Sequence, residues 1–376
     1  MEKRRIEVRE AQSSDTDALN ALALLCPAPS GIPYAYVRDQ NYLEWNRHLG
    51  EQVKTWLAID PESGDLLGTI SVSLHHTYLH GNDYEVGYMS DFKVNPKFRG
   101  FGAGDLLMRK MMEQLDVWGR EFGRPIPLLS AIMMNNENMR LRKLPDYQKK
   151  GIVDFKLEHQ FQYFLCPVKN KPLLDGRYRV EFARESDLKE MHEFWLKHQS
   201  TRSLGRRLSL DEWKNWMKTT PGVSIADFCL LRNSDGRLLG FTGVWDQSKL
   251  RKSVVLDLPP VYKVLRPLWN LVAPLVSLPK LPAPGEAFSV MSTVFFCLEK
   301  EDPEMWDALY RGAMGIAKCH FGKILVFGLD ARSPLMSLAK SKSMDSTKVG
   351  LYWDARGIGE AFRFEGSETQ VESAFG

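Results

Sequence analysis

Residues Val94 to Gly104 read Val-Asn-Pro-Lys-Phe-Arg-Gly-Phe-Gly-Ala-Gly, and an apolar-faced stretch from Asp105 to Trp118 follows directly. A strand that passes through such a turn into a helix makes an anion cradle. Gly100, Gly102 and Gly104 allow backbone angles and close approach that a β-carbon forbids. Main-chain N–H groups can then converge on a phosphate at the positive end of the helix. Two familiar phosphate loops fail on spacing. A P-loop needs Lys and then Ser or Thr after its last glycine, whereas Asp105 and Leu106 follow Gly104. A dinucleotide fingerprint anchored on Gly100 and Gly102 would need glycine where Asp105 stands. A second cluster, His75, His76 and His80, offers the side chain best suited to act as a base near neutrality. A metal site there would need a fourth partner that the sequence does not place, so no metal is expected.

What does fit is Arg-x-x-Gly-x-Gly at Arg99, Gly102 and Gly104, behind a strand that ends in Val94-x-Pro96. On these residues the chain resembles the GNAT superfamily of N-acetyltransferases, strongly in its first half and at the level of fold in its second. The resemblance implies that Arg99, Gly100, Phe101, Gly102, Ala103 and Gly104 hold the pyrophosphate of acetyl-CoA. It implies that the strand Tyr84 to Val94 splays from the strand Pro127 to Met134, and that the pantetheine arm pairs with backbone near Phe92 and Val94. Asn138 matches a helix-capping asparagine that touches the cofactor, with Asn135 and Asn136 as competitors. A departing thiolate needs an acid, and the family's Tyr-x-x-x-Gly-apolar pattern falls on Tyr147, Gly151 and Ile152. Pro145 interrupts the helix before it, and the spacing from Asn138 to Tyr147 is slightly long for the family. For a base, Asp91 and Glu85 lie on the strand before the loop and share a face if no bulge intervenes; each also reads as an ordinary solvated or paired strand charge.

The implied reaction is transfer of an acetyl group from acetyl-CoA to an amine of a small molecule or peptide, by direct attack in a ternary complex. No cysteine stands in a motif that suggests an acyl-enzyme. Two alternatives remain open: a longer acyl chain carried on CoA or acyl carrier protein, and a non-catalytic sensor of acyl-CoA. Tyr34 to Trp45 is the expected substrate-side segment, and nothing in it names a particular amine.

These residues need elements to position them, and the chain is long enough for two domains at 376 residues. Fifty Lys and Arg against 47 Asp and Glu give no charge signal for nucleic acid or a membrane. The five cysteines, Cys26, Cys166, Cys229, Cys297 and Cys319, are scattered and read as reduced core thiols. The N-terminus passes from charges into an alternating strand without the apolar block of a signal peptide, so a cytoplasmic protein is expected. An internal repeat decides the architecture. Arg5-Ile6-Glu7-Val8 recurs as Arg179-Val180-Glu181-Phe182, and Trp56 to Gly68 recurs as Phe228 to Gly240. The spacing then lengthens, with Met89-Ser90-Asp91 set against Met291-Ser292-Thr293, so the second copy carries an insert near 251–286.

The expected fold class is α/β, an α+β mixed sheet flanked by helices, in two tandem GNAT-like domains at 1–168 and 177–376 with a linker at Pro167 to Gly176. The stretch Leu298 to Glu304 in the second copy has no glycine and several carboxylates, so that copy is expected to have lost cofactor binding. Prolines, Lys263 and Arg266 break the apolar insert, which therefore cannot span a membrane. It reads as a short helix packed between the halves, an apolar wall of the acceptor cleft, a homodimer contact, or a surface that lies on a membrane.

Overall fold

A computed structural model describes residues 5–38, 40–79, 81–169, 177–276 and 278–356. His80 and most of the expected linker lie outside the described residues. The first half runs β1 (Glu7–Glu10), α1 (Thr16–Leu25), β2 (Tyr34–Val37), α2 (Tyr42–Asn46), β3 (Gln52–Ile59), β4 (Leu66–Leu79), β5 (Asn82–Val94), α3 (Ala103–Phe122), β6 (Leu128–Met133), α4 (Leu144–Lys149) and β7 (Lys156–Pro167). The second runs β8 (Arg179–Phe182), α5 (Leu188–Gln199), β9 (Gly205–Arg206), α6 (Leu210–Thr219), β10 (Phe228–Arg232), β11 (Leu238–Trp245), β12 (Lys252–Val255), α7 (Pro260–Val272), β13 (Val290–Leu298), α8 (Pro303–Cys319), β14 (Ile324–Asp330), α9 (Met336–Lys342) and β15 (Asp345–Asp354).

Among the described residues, one mixed sheet of 13 strands runs through both halves in the order β1-β3-β4-β5-β6-β15-β7-β14-β13-β11-β10-β8, with β9 paired to β4. The last strand of each half therefore sits beside strands of the other. β15 lies between β6 and β7, and β7 lies between β15 and β14. Helix α3 covers the first half. Its buried residues, Ala103, Leu107, Met108, Met111, Leu115 and Trp118, recur every three or four positions, which gathers them on one face. That face packs on β3, β4 and β5, where Leu67, Ile70, Val72 and Leu74 are fully buried.

The sheet register gives the repeat more accurately than the sequence does. Gly68 pairs with Val94 and Gly240 with Leu298. In both halves the long strand carries a bulge with a left-handed residue, Asp91 at φ +50° and Phe295 at φ +52°. Asp91 therefore corresponds to Phe295 and not to Thr293; the shared Met-Ser pair is a coincidence two residues out of register.

A small ribbon ties the halves together across the sheet. β2 and β12 pair antiparallel, Lys252 with Val37 through Val255 with Tyr34. The insert behind β12 is not packed between the halves as one reading expected. No residue of α7 is buried, and Val264 and Leu271 are 78% and 71% exposed. Among the described residues no helix is long and apolar enough to cross a membrane.

Candidate functional site

The glycine turn adopts the conformation its composition demands. Gly100 and Gly102 hold φ of +93° and +92°, where side-chain-bearing residues are strained. Gly102 is the N-cap of α3 and supplies no side-chain cap to the first N–H groups of this helix. Gly104 is needed for a different reason, since a β-carbon there would lie 2.8 Å from the Tyr147 hydroxyl and 3.4 Å from the Phe92 ring.

Beside this turn the sheet opens. β5 and β6 pair in parallel from Gly87 with Leu128 to Met89 with Ser130, and pairing stops there. Two features hold them apart. The β5 bulge shifts its register against β4 between Ser90 and Lys93. On its other edge β6 is held by β15, from Leu128 with Asp354 to Met133 with Val349. The cleft between them has a volume of about 810 Å³. Phe92, Val94, Arg99, Gly100, Gly102, Ala103, Gly104, Asn138, Tyr147 and Asp91 all line it. Phe101 packs instead against the first core.

Tyr147 is 3% exposed, and its ring meets that of Phe92 edge to face at 6.2 Å. Burial, with Asp105 and Asp146 nearby, pushes its phenol well above the usual range, so its proton stays in place. The long spacing before it has a physical form: Asn138–Lys143 winds as a π-helix ahead of α4, which absorbs extra chain before Pro145. The three asparagines divide their duties. Asn135 donates to the Pro29 carbonyl and Asn136 accepts from the Met139 N–H at 3.2 Å, while Asn136 and Asn138 both line the cleft.

The bulge separates the two carboxylates that an unbroken strand would align. Asp91 is clamped by Arg38 Nη1 at 2.8 Å and Lys93 Nζ at 2.6 Å. Burial opposes its charge, but the two cations outweigh it and hold the carboxyl well below the usual range. Glu85 is buried away from the cleft lining, paired with Arg124 and with His76 at 3.3 Å. His75 and His76 are also outside the lining, and burial, with Arg206 and His76, lowers the His75 imidazole to about 3. Among the described residues no group of His, Cys, Asp and Glu could hold a metal ion.

Several lining residues were not singled out individually as site residues from the sequence, among them Cys26, Arg38 and Arg251. Cys26 donates weakly to the Val94 carbonyl at 3.5 Å, on the backbone where a pantetheine arm is expected. Arg38 reaches the cleft from the end of β2, and Arg251 comes from the second half, beside β12. The β2–β12 ribbon brings these two arginines to the same cleft.

At the equivalent place in the second half, Asp302 caps α8, accepting from the N–H groups of Glu304 at 2.9 Å and Met305 at 3.0 Å. Phe295, fully buried, fills the bulge position between Trp213 and Trp216.

Residues 19–137 match the model of the acetyltransferase (GNAT) family. No curated protein matches the sequence. Among solved structures, a GCN5-related N-acetyltransferase from Sphaerobacter thermophilus shares 12% identity at a TM-score of 0.58, over 93% of this chain and 95% of its own. The N-myristoyltransferase of Saccharomyces cerevisiae with bound myristoyl-CoA shares 11% at 0.60, over 94% and 83%. A GCN5-related glucosamine N-acetyltransferase region of a fungal multi-domain GH3 β-N-acetylglucosaminidase shares 11% at 0.61, over 93% of this chain but only 38% of that one. Identities this low speak for the fold, while the family model falls on the half that carries the uncapped glycine turn and the opened β5–β6 seam. Residues 19–137 thus match the acetyltransferase (GNAT) family, and the fold of the whole chain resembles that of these acyltransferase structures.

Proposed function

We propose that this protein moves an acetyl group from acetyl-CoA to the amine of a small molecule or peptide, by direct attack with both substrates in the cleft. The observation that carries this reading is continuity: one cleft joins the uncapped N-terminus of α3, the open edge of β5 and the Tyr147 hydroxyl. The residues fit the donor. The N–H groups after Gly102 and the Arg99 side chain suit a pyrophosphate, and the edge of β5 that β6 leaves beyond Met89 suits the amides of the arm. In the reaction the amine nitrogen bonds to the thioester carbonyl carbon and the carbon–sulfur bond breaks. Tyr147 donates a hydrogen bond to the departing sulfur. With a phenol above 10 and a free thiol near 8.5, this donation stabilises the thiolate without requiring full proton transfer.

Asp91 is a poor base in this scheme, because two cations stabilise its charged form. It holds Arg38 and Lys93 in position instead, and the ammonium proton leaves to water in the open cleft. A longer acyl group could use the same turn, but the exposed α7 supplies no wall for it; from the insert only Arg251, at its root, reaches the lining. The test of the donor site is Gly102→Asp, which places a carboxylate and a strained φ at the turn while its β-carbon meets open space. Calorimetry should show acetyl-CoA binding lost in a mutant that keeps the far-ultraviolet spectrum of the parent. Unchanged affinity would remove the turn from the site.

A further inference from the structure

Part of the cleft lining gathers positive charge. Arg38, Lys93 and Arg251 belong to it, and the carboxylate among them is Asp91. That carboxylate is already committed to Arg38 and Lys93, with the Tyr42 hydroxyl 3.4 Å away. Arg38 is 3% exposed, and its Nε is buried without a hydrogen-bond partner. Arg251 lies over the Trp45 ring at 3.7 Å and the Tyr36 ring at 4.4 Å, and Gln247 accepts from its Nε at 3.0 Å.

Collecting three cations around one carboxylate in a half-buried cleft costs desolvation and mutual repulsion. Aromatic faces offset part of this for Arg251. They also hold the guanidinium in place at the lining, and a guanidinium is the side chain best matched to carboxylates and phosphates. A cationic amine alone would be repelled from such a pocket. An acceptor whose amine sits on a scaffold that also bears an anion would be drawn in and oriented, with its amine toward the seam.

We infer that the acceptor is an amine carrying an anionic group, a carboxylate or a phosphate, which the Arg38–Lys93–Arg251 cluster binds on the β2–β12 side of the cleft. This rests on the proposed acyl transfer, yet it is read without turnover. The full-length protein, saturated with CoA, is titrated by ligand-observed NMR with three product-like probes: N-acetylglycine, N-acetylphosphoethanolamine and N-acetylglycinamide. At least one of the two anions should bind about tenfold more tightly than the neutral amide, and which one does identifies the group. Arg251→Gln should erase that preference and Arg251→Lys should keep part of it, in variants that melt as the parent does. Equal binding of all three probes, no binding of any, or an undiminished preference in Arg251→Gln overturns the inference. Acetyl-CoA calorimetry on the same samples reports separately on the donor site, so failure of one reading is distinguishable from failure of the other.

Discussion

A phenol serves a departing thiolate only if it keeps its proton and reaches the sulfur, and Tyr147 meets the first condition through burial and its acidic neighbours. Tyr147→Phe retains the ring against Phe92 but removes the donor, so turnover should fall by roughly 10²-fold or more with acetyl-CoA affinity little changed; unaffected turnover would assign thiolate stabilisation elsewhere. The place of Tyr147 in the cleft lining could be anticipated because its pattern is local, a tyrosine four residues before a glycine. Those of Arg38 and Arg251 could not, because two isolated arginines acquire meaning only when β2 pairs with β12. Asp91 shows the intermediate case: the sequence placed it on the right strand, but its partners depend on a bulge. His75 makes a stability prediction. Its ring is lowered to about 3 and meets the Ser73 hydroxyl at 2.8 Å, so the native state refuses a proton that the unfolded chain accepts from about pH 6.5 downward. The unfolded state then binds more protons across that window, and stability must fall as pH drops from 6.5 toward 3. Urea unfolding at pH 7 and pH 5 should show this loss, and His75→Asn should shrink it; an identical loss in the mutant would show that other groups are responsible.

Among the elements, the informative pair is α3 and α8, which occupy equivalent places in the two halves and begin in opposite ways. The glycine turn leaves the start of α3 open to an anion, whereas Asp302 already satisfies two N–H groups of α8 and Pro303 removes another. A phosphate brought there would face Asp302 and Glu304, at a cost of about 1 kcal/mol for each close pair even in water. Phe295 adds a steric bar, since it buries an aromatic ring where the first half leaves its cleft. Calorimetry should therefore give one CoA per chain; two equivalent sites would mean that the second half also binds. This asymmetry was readable because glycine against carboxylate is a difference of composition. The exact register was not, because a bulge displaces residues without changing their types. Of the insert's several readings the structure removes the helix packed between the halves, since no residue of α7 is buried and its apolar side chains are exposed.

At the scale of the whole molecule, the sequence suggests two copies of one pattern, but nothing in it foretells the route of the sheet through both halves. Nothing local in β7 or β15 says which neighbour each takes. In the structure they trade places: β15 pairs with β6 of the first half, and β7 pairs with β14 of the second from Pro167 with Ile324 to Phe161 with Asp330. The exchange bears on the site because the strand that holds one side of the seam, β6, takes its outer partner from the end of the chain. It also fixes what each half can do alone. Residues 1–168 expressed by themselves would leave the edge of β6 bare and strip β7 of both partners, exposing long apolar edges that invite aggregation. That fragment should lack a cooperative thermal transition and acetyl-CoA binding, and co-expression with 177–376 should restore both. If the fragment instead melts cooperatively and binds acetyl-CoA, β7 can fold back onto β6 directly, and the second half is dispensable for opening the cleft.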